Sequence, residues 1–402
     1  MSRQGRRILI TGVAGGLGAA LAARLEADAS VATVTGLDLT APAASFTRTE
    51  VVRGDLRSPL VSGVLDALDI DTLVHLAPAS AGAAAVSRAL AKERTVIGAL
   101  RLFGAAARAR RLRTVLVGSS TALYGGRARN PSLHVERTVA DAAPRVGVAA
   151  DLADVEAAAR TLARRRPDLT VGVLRFAPVV GRDCAAPLVR YLNLPVVPTV
   201  LGRDPRLQLL GVGDAVEILL RAVAAPYPGV VNVAAPGVVY LSQALRSLGR
   251  VAVPLAAPAF PALAGSLRRA GVDLDAAELA FLKAEQVAEL SRLAATYGVP
   301  ATTTRAQLAA LARQTSRTPV VEDATLAALE QDLLRVGVRL AARRPGRPLV
   351  RLVRRLHAAV ADPVPTRPGG AVAQTGEPAA PLPARPPTAQ AARTDGPGVA
   401  RS

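Results

Sequence analysis

The sequence predicts an α/β protein with a doubly wound parallel sheet, followed by a smaller C-terminal subdomain and a disordered tail. Residues 6–25 give the first observation, an apolar run that meets a glycine-rich loop and then a helix-forming run of alanine and leucine. Further short apolar runs alternate with helix-like runs as far as residue 234, which is typical of parallel strands joined by helices. Residues 361–402 contain nine prolines and five glycines, so they predict disorder.

The loop after the first strand carries glycines at a spacing of three. Gly12 allows a sharp turn, Gly15 leaves room for a pyrophosphate to approach the backbone, and Gly18 lets the helix pack closely on the sheet. Gly16 and Leu17 lie at the start of this helix, whose free N–H groups favour phosphate binding. The stretch therefore predicts a Rossmann-type dinucleotide site at these five residues. The alternatives are a glycine-rich turn without a ligand and a twin-arginine export signal, which the later motifs disfavour.

The second predicted strand, residues 31–37, ends at Asp38. A carboxylate about 20 residues beyond the loop can accept hydrogen bonds from the adenosine ribose hydroxyls and repels a 2′-phosphate, which favours NAD over NADP. A helix cap or turn is the alternative role of this aspartate. The later predicted strands are 51–56, 71–77, 114–118, 169–176 and 229–234, and the predicted helices are 61–68, 83–110, 149–165 and 214–223, the last with Asp214 as its N-cap.

Several motifs resemble one family. Residues 119–125 read S-S-T-A-L-Y-G after the fifth strand, and residues 174–181 read L-R-F-A-P-V-V-G. Together with the loop spacing G-x-x-G-x-x-G, they resemble the extended short-chain dehydrogenases/reductases. The chain is identified, over residues 6–305, as a divergent member of the NAD-dependent epimerase/dehydratase family, similar to bacterial UDP-glucose 4-epimerase-like proteins. Pro178 and Gly211 stand where the family has asparagine and histidine.

The resemblance implies further contacts with the cofactor. In the family, the aspartate of a G-D-L segment contacts the adenine, which points to Asp55 and Leu56. The chain passes beneath the cofactor at a strand end that matches Leu76 and Ala77. Asp55 could instead only begin a turn. His75, next to this segment, is more typical of a packed histidine at a strand end than of an acid or a base.

The resemblance also implies a catalytic hydroxyl. Ser120 matches the Ser or Thr that hydrogen-bonds the reacting oxygen of a nucleotide sugar, with Thr121 as its neighbour and Tyr124 beside the site. The alternative is a hydroxyl-rich turn that caps the next segment.

The chain departs from the family where the catalytic base is expected. The family places Y-x-x-x-K on the helix at 149–165, but alignment on Glu156 puts Val148 and Leu152 at these two positions. Because no tyrosine lies between residues 124 and 191 and no lysine between 92 and 283, the usual tyrosinate base cannot be assembled here. The substitutes suggested by position alone are Tyr124, Asp151 and Asp154.

Composition narrows the class of protein and partner. The formal net charge is +19, almost all of the basic side chains are arginine, and aromatic residues make up only 2%. Because no aromatics for base stacking and no nucleic-acid motif accompany the charge, we expect no nucleic-acid partner. Attraction to anionic nucleotide sugars or an arginine-rich coding bias explains it instead. The single cysteine, Cys184, excludes an internal disulfide and makes a cysteine-based metal site implausible, and with no predicted membrane span it favours the cytoplasm.

The domain organisation follows from the resemblance and from composition. Residues 349–360 predict a basic amphipathic helix that either lies on a membrane surface or docks on its own domain. The resemblance implies a homodimer through the helices at 83–110 and 149–165. The predicted units are an NAD-binding domain at 1–178 with strands returning at 205–234, a substrate subdomain at 179–305, a basic helical extension at 306–360 and the disordered tail at 361–402.

Three functions remain open from the sequence. The first is an NAD-dependent enzyme that acts on a nucleotide sugar by reversible hydride transfer. The second is a catalytically inactive NAD-binding sensor or scaffold that has lost the Tyr/Lys pair. The third, a nucleic-acid or membrane-surface protein, rests on charge alone.

Overall fold

A computed structural model gives the fold of the chain. It describes residues 5–59, 61–76, 87–125, 131–139, 147–181, 184–185, 187–194, 196–255, 282 and 285–315. The predictions for Ala77, for the helix at 349–360 and for the tail at 361–402 lie outside the described residues. Among the described residues, no helix is both long enough and apolar enough to cross a membrane.

The elements alternate as the apolar runs predict. The strands are β1 Arg6–Thr11, β2 Val31–Asp38, β3 Thr49–Arg53, β4 Thr72–His75, β5 Thr114–Ser120, β6 Thr170–Phe176, β7 Val179–Gly181, β8 Cys184–Ala185, β9 Val196–Val200, β10 Arg206–Leu207, β11 Leu210–Gly211, β12 Gly229–Val233, β13 Val239–Tyr240 and β14 Val251–Leu255. The α-helices are α1 Gly16–Glu26, α2 Val61–Ala67, α3 Arg88–Lys92, α4 Gly98–Ala106, α5 Val148–Arg165, α6 Pro187–Leu192, α7 Val212–Ala224, α8 Leu241–Ser247, α9 Ser291–Thr296 and α10 Thr304–Thr315.

Seven parallel strands form the central sheet in the order β12-β6-β5-β4-β1-β2-β3. The chain builds outward from β1 to β3 and then returns to build from β4 to β12 on the other side. The sheet therefore has its topological switch point between β1 and β4, and ligands of such sheets bind at the carboxyl ends of the strands there. This order confirms the predicted doubly wound, Rossmann-type fold.

Helices cover both faces of the sheet. On one face α1 and α7 pack over β1 and β6, and on the other α2, α4 and α5 pack over β4 and β5. Both cores are built almost entirely from alanine, valine, leucine and isoleucine, as the scarcity of aromatics requires.

The helix predicted at 83–110 is interrupted. A π-helical turn, Glu93–Ile97, separates α3 from α4, and α4 ends at Ala106 rather than at 110. Gly98 comes directly after the π turn, and Leu56 packs closely against it. A Cβ at Gly98 would lie 3.0 Å from the Leu56 Cβ, so a larger residue would crowd this contact. Gly104, the other glycine of this helix, has open space around it and produces no break.

The strands that lie outside the central sheet form three small sheets, with β11, β7 and β8 in one, β14 and β9 in another and β10 and β13 in a third.

The prediction that Asp214 caps α7 is wrong. The helix begins two residues earlier with Gly211 at the N-cap, and Asp214 instead accepts a hydrogen bond of 2.8 Å from Gln307 of α10. A Cβ at Gly211 would lie 2.3 Å from the Gln307 amide, so the glycine at this position makes room for α10.

Candidate functional site

The glycine loop closes tightly between β1 and α1. Gly12 has a φ of 84°, in the left-handed region that glycine adopts at little cost. The Gly15 N–H donates to the Gly12 carbonyl at 3.2 Å, which closes the turn. A Cβ at Gly18 would lie 2.2 Å from the same carbonyl oxygen, so only glycine fits where the helix crosses the loop.

The outer side of this loop fits a diphosphate. Gly15 is exposed, and the one nearby atom that its Cβ would meet is the Gly12 carbonyl oxygen at 3.4 Å. Gly15 is the N-cap of α1 and provides no side-chain cap among the described residues, and the N–H groups of the first turn have no intrahelical partner. Gly16 and Leu17 lie in that turn and are half-buried. The loop therefore leaves backbone donors and open space where the pyrophosphate of NAD would bind.

Asp38 lies beside the glycine loop at the end of β2. Its Oδ2 accepts a hydrogen bond of 2.9 Å from the Ala14 N–H, and its Oδ1 accepts one of 2.7 Å from the Leu39 N–H. These two bonds fix the carboxylate next to the loop and leave acceptor capacity on both oxygens. The position fits an acceptor for ribose hydroxyls and a repulsive group for a 2′-phosphate.

Asp55 and Leu56 lie in the turn after β3. The Asp55 carboxylate accepts from the Arg57 guanidinium at 2.6 and 3.0 Å, and these hydrogen bonds lower the pKa of the Asp55 carboxyl. The Asp55 carbonyl also accepts from the Ser58 N–H, so this residue begins a turn. Leu56 bridges from the turn to Gly98. A contact of Asp55 or Leu56 with adenine stays a prediction.

His75 and Leu76 lie where β4 reaches the carboxyl edge. The Leu76 N–H donates to the Thr11 carbonyl at 2.9 Å, and the His75 Nδ1 lies 2.7 Å from the Thr11 Oγ1. His75 is fully buried with its ring edge-on to Phe103, and burial lowers its pKa to about 4. These contacts favour the packed-histidine interpretation over a role as acid or base.

The buried imidazole predicts an acid-sensitive fold. The unfolded His75 takes up a proton below about pH 6.5, whereas the folded one does so only below about 4. Because the unfolded chain binds more protons between these values, the free energy of unfolding falls as the pH falls through this window, by about 3 kcal/mol. Urea unfolding from pH 7.5 to 4.5 should show a shallower loss for His75→Gln than for wild type. Parallel pH profiles for the two proteins would contradict this.

Ser120 ends β5 and begins a 3₁₀ turn, Thr121–Tyr124. Its Oγ accepts a hydrogen bond of 3.1 Å from the Ala122 N–H, which leaves the hydroxyl proton for another acceptor. Ser120 is half-buried, whereas Thr121 is buried. Of the two neighbouring hydroxyls, the one of Ser120 is the more accessible from the carboxyl edge.

Tyr124 is fully buried in a polar network. Its hydroxyl donates to the Asn232 Oδ1 at 2.5 Å and accepts from Arg175 at 3.2 Å, and its ring stacks on His134 at 4.5 Å. Burial raises the pKa of the Tyr124 phenol above its ordinary value. Both its inaccessibility and this shift argue against Tyr124 as the substitute base.

The network continues into an ion pair that sequence reasoning missed. Arg175 of β6 donates to both carboxylate oxygens of Glu156 at 2.9 and 2.6 Å, and the Ser119 hydroxyl donates to Glu156 at 2.6 Å. Arg175 and Glu156 are each about 1% exposed. The available signal was an arginine inside an otherwise apolar strand, because a buried guanidinium requires a charged or polar partner.

The two positions that the sequence alignment predicts for the catalytic base lie on the same face of α5 as Glu156. Leu152 and Val148 precede Glu156 by one and two turns, and Leu152 is buried. Asp151, one of the candidate substitutes, is 2% exposed, and its Oδ2 accepts from Arg88 at 2.5 Å. Asp154 is exposed and lies 3.8 Å from Lys92. Val148 and Leu152, the residues that the sequence alignment predicts at the two catalytic positions, are aliphatic, and Asp151 and Asp154 both pair with cations.

The chain matches a known protein family and is similar to a bacterial protein. The model of the NAD dependent epimerase/dehydratase family matches residues 8–234, which include the glycine loop, the end of β5 and β12. The chain is also 35% identical over 346 residues to the uncharacterized protein Rv0501 of Mycobacterium tuberculosis, with 84% of this chain and 92% of that protein covered.

Solved structures share the fold. One is a UDP-glucuronic acid 4-epimerase from Bacillus cereus in complex with UDP-glucuronic acid and NAD, with a TM-score of 0.61, 15% identity and coverage of 77% of this chain and 99% of that one. Another is MoeE5 in complex with UDP-glucuronic acid and NAD, with a TM-score of 0.60, 21% identity and coverage of 77% and 99%.

Proposed function

Since this chain belongs to the NAD dependent epimerase/dehydratase family, we propose that it binds a UDP-sugar next to NAD, with the sugar over the end of β5. NAD is the cofactor expected from the sequence, and the family assignment confirms it. The observation that carries the proposal is the common edge of the sheet. The glycine loop follows β1, and Asp38 and Ser120 end β2 and β5, so all three lie at the carboxyl ends of strands on either side of the switch point.

We propose reversible hydride transfer as the reaction. When bound, NAD supplies the hydride acceptor for an alcohol carbon of the sugar. The Ser120 hydroxyl donates a hydrogen bond to the oxygen on that carbon and orients it, and the proton of the sugar hydroxyl passes to solvent water as the carbon loses its hydride. Because Val148 and Leu152 cannot accept a proton, we expect turnover to be about 100- to 10,000-fold below that of an enzyme with a general base.

The experiment adds UDP-glucose to the NAD-loaded protein and follows binding by calorimetry and reduced cofactor by fluorescence. Ser120→Ala should leave NAD affinity unchanged and abolish the formation of reduced cofactor. Ser62→Ala, an exposed serine at the start of α2, serves as the matched control. Reduced cofactor formed at the wild-type rate by Ser120→Ala would refute the role of this hydroxyl.

A second candidate function is an NAD-binding sensor or scaffold without turnover. The aliphatic pair Val148 and Leu152 and the burial of Tyr124 favour it, since the glycine loop is intact while no described group replaces the base. Tight NAD binding with no product from a panel of UDP-sugars is the result that this function predicts. Steady turnover of any of them would eliminate it.

We also propose that the protein forms a homodimer and that it is located in the cytoplasm. Ile97 and Leu100, one helical turn apart on the helix predicted to pair, are 41% and 49% exposed, which supports an interface on this face. Light scattering on wild type and on Leu100→Glu tests the dimer, and a wild-type monomer would refute it. Contact of residues 349–360 with a membrane remains a separate proposal, tested by binding to anionic vesicles.

A further inference from the structure

A row of polar side chains crosses three strands of the central sheet, one residue before the carboxyl end of each strand. Ser119 of β5 and Asn232 of β12 are the in-register neighbours of Arg175 of β6, one on either side. Residues in register on parallel strands present their side chains to the same face of the sheet. All three side chains are buried. A guanidinium therefore lies between two polar partners directly next to the end of β5, where Ser120 follows.

The Arg175 guanidinium fixes the strand end before Ser120. It donates to both carboxylate oxygens of Glu156, and the Ser119 hydroxyl donates to the same carboxylate. A bidentate pair holds a carboxylate in one orientation, so the Ser119 side chain meets an acceptor in a fixed place. Because Ser119 is joined directly to Ser120, this contact fixes the backbone that carries the Ser120 hydroxyl.

The same guanidinium fixes the turn after Ser120. Its Nη1 donates to the Tyr124 hydroxyl at 3.2 Å and to the Glu136 carbonyl at 2.8 Å. Tyr124 is the last residue of the 3₁₀ turn, and the Ala122 N–H inside this turn is the donor to the Ser120 Oγ. A short 3₁₀ segment has poor hydrogen bonds of its own. Its position, and with it the orientation of the Ser120 side chain, therefore depends on the contact at Tyr124.

We infer that Arg175 positions the Ser120 hydroxyl, because one buried guanidinium fixes the chain on both sides of it. The inference rests on the proposed function, in which this hydroxyl orients the oxygen of the sugar. Arg175 is about 1% exposed, so it acts through Ser120 and does not contact the sugar.

Two variants each remove one of these contacts without leaving a buried charge unpaired. Tyr124→Phe removes the hydroxyl that accepts from Arg175, whose Nη1 still donates to the Glu136 carbonyl. Ser119→Ala removes one donor to Glu156, which keeps both bonds from Arg175. Both proteins should therefore fold and bind NAD as wild type does.

The first measurement is hydrogen exchange of residues 119–125 in the full-length protein by mass spectrometry, which needs no substrate. Each variant should speed the exchange of this segment about 10- to 100-fold, the range of a hydrogen bond to a charged group. Tyr297→Phe is the matched control, because this buried tyrosine accepts from the Tyr227 N–H, away from Arg175. It should leave the segment as in wild type. Unchanged exchange in either variant, or equal acceleration in the control, would overturn the inference.

The second measurement is the rate at which UDP-glucose reduces the bound NAD. Both variants should lower kcat about 10- to 100-fold and leave the KM for UDP-glucose and the Kd for NAD unchanged, since a displaced hydroxyl no longer matches the reacting oxygen. An unchanged kcat in both variants, or an equal fall in Tyr297→Phe, would contradict the positioning role. If wild type formed no reduced cofactor, the proposed reaction would fail, whereas hydrogen exchange would still decide whether Arg175 fixes the Ser120 turn.

Discussion

Glu156→Ala is expected to lower the free energy of unfolding by about 3–5 kcal/mol, because it leaves the Arg175 guanidinium buried without its charge partner. Both side chains are about 1% exposed, and the carboxylate also accepts from Ser119. For the folded domain, whose described residues extend to 315, this loss of stability corresponds to a fall in melting temperature of roughly 10 °C. Thermal and urea unfolding of the variant measure it.

Arg160→Ala provides the matched control. Arg160 also lies near Glu156, at 3.6 Å, but its side chain is 52% exposed. Its removal should change the free energy of unfolding by less than about 0.5 kcal/mol. The double variant Glu156→Leu with Arg175→Met should be more stable than Glu156→Ala, since it removes both charges together. Equal stabilities of wild type and Glu156→Ala would contradict the account of this ion pair.

Gly18→Ala is expected to weaken NAD binding by about 100-fold. Overpacking of this kind costs up to about 3 kcal/mol, and NAD binding would have to supply this free energy to restore the loop conformation. The new Cβ would lie 2.2 Å from the Gly12 carbonyl oxygen, so the loop must move away from the amino end of α1. Calorimetric titration with NAD measures the loss. Gly104→Ala in α4, where a Cβ meets nothing within 4 Å, should bind NAD as wild type does. Unchanged affinity in Gly18→Ala would show that the loop is not the diphosphate site.

The sheet could be predicted from the sequence because its determinants are local. Each strand is a short apolar run, and the glycine spacing fixes how β1 passes into α1. The helix predicted at 149–165 is observed as Val148–Arg165, and the strand predicted at 169–176 as Thr170–Phe176. Because crossovers between parallel strands are right-handed, the reversal of strand order after β3 places the later helices on the opposite face of the sheet from the earlier ones.

The features that could not be predicted depend on residues far apart in the chain. Gln307 lies against Gly211 and bonds Asp214, so a helix almost a hundred residues away decides how α7 begins. Likewise the partners of Tyr124 come from His134, Arg175 and Asn232. The sequence predicts that the usual base is missing, and this stays a prediction, whereas the burial of Tyr124 is visible only in the fold.

Calorimetry of the full-length protein with NAD and with NADP tests whether the glycine loop and Asp38 form the coenzyme site. NAD should bind, and NADP should bind more weakly, because the Asp38 carboxylate repels a 2′-phosphate. Asp38→Asn should narrow the difference in affinity between the two coenzymes. A titration without heat for either coenzyme, or one with higher affinity for NADP, would show that the loop and Asp38 do not bind NAD in this way.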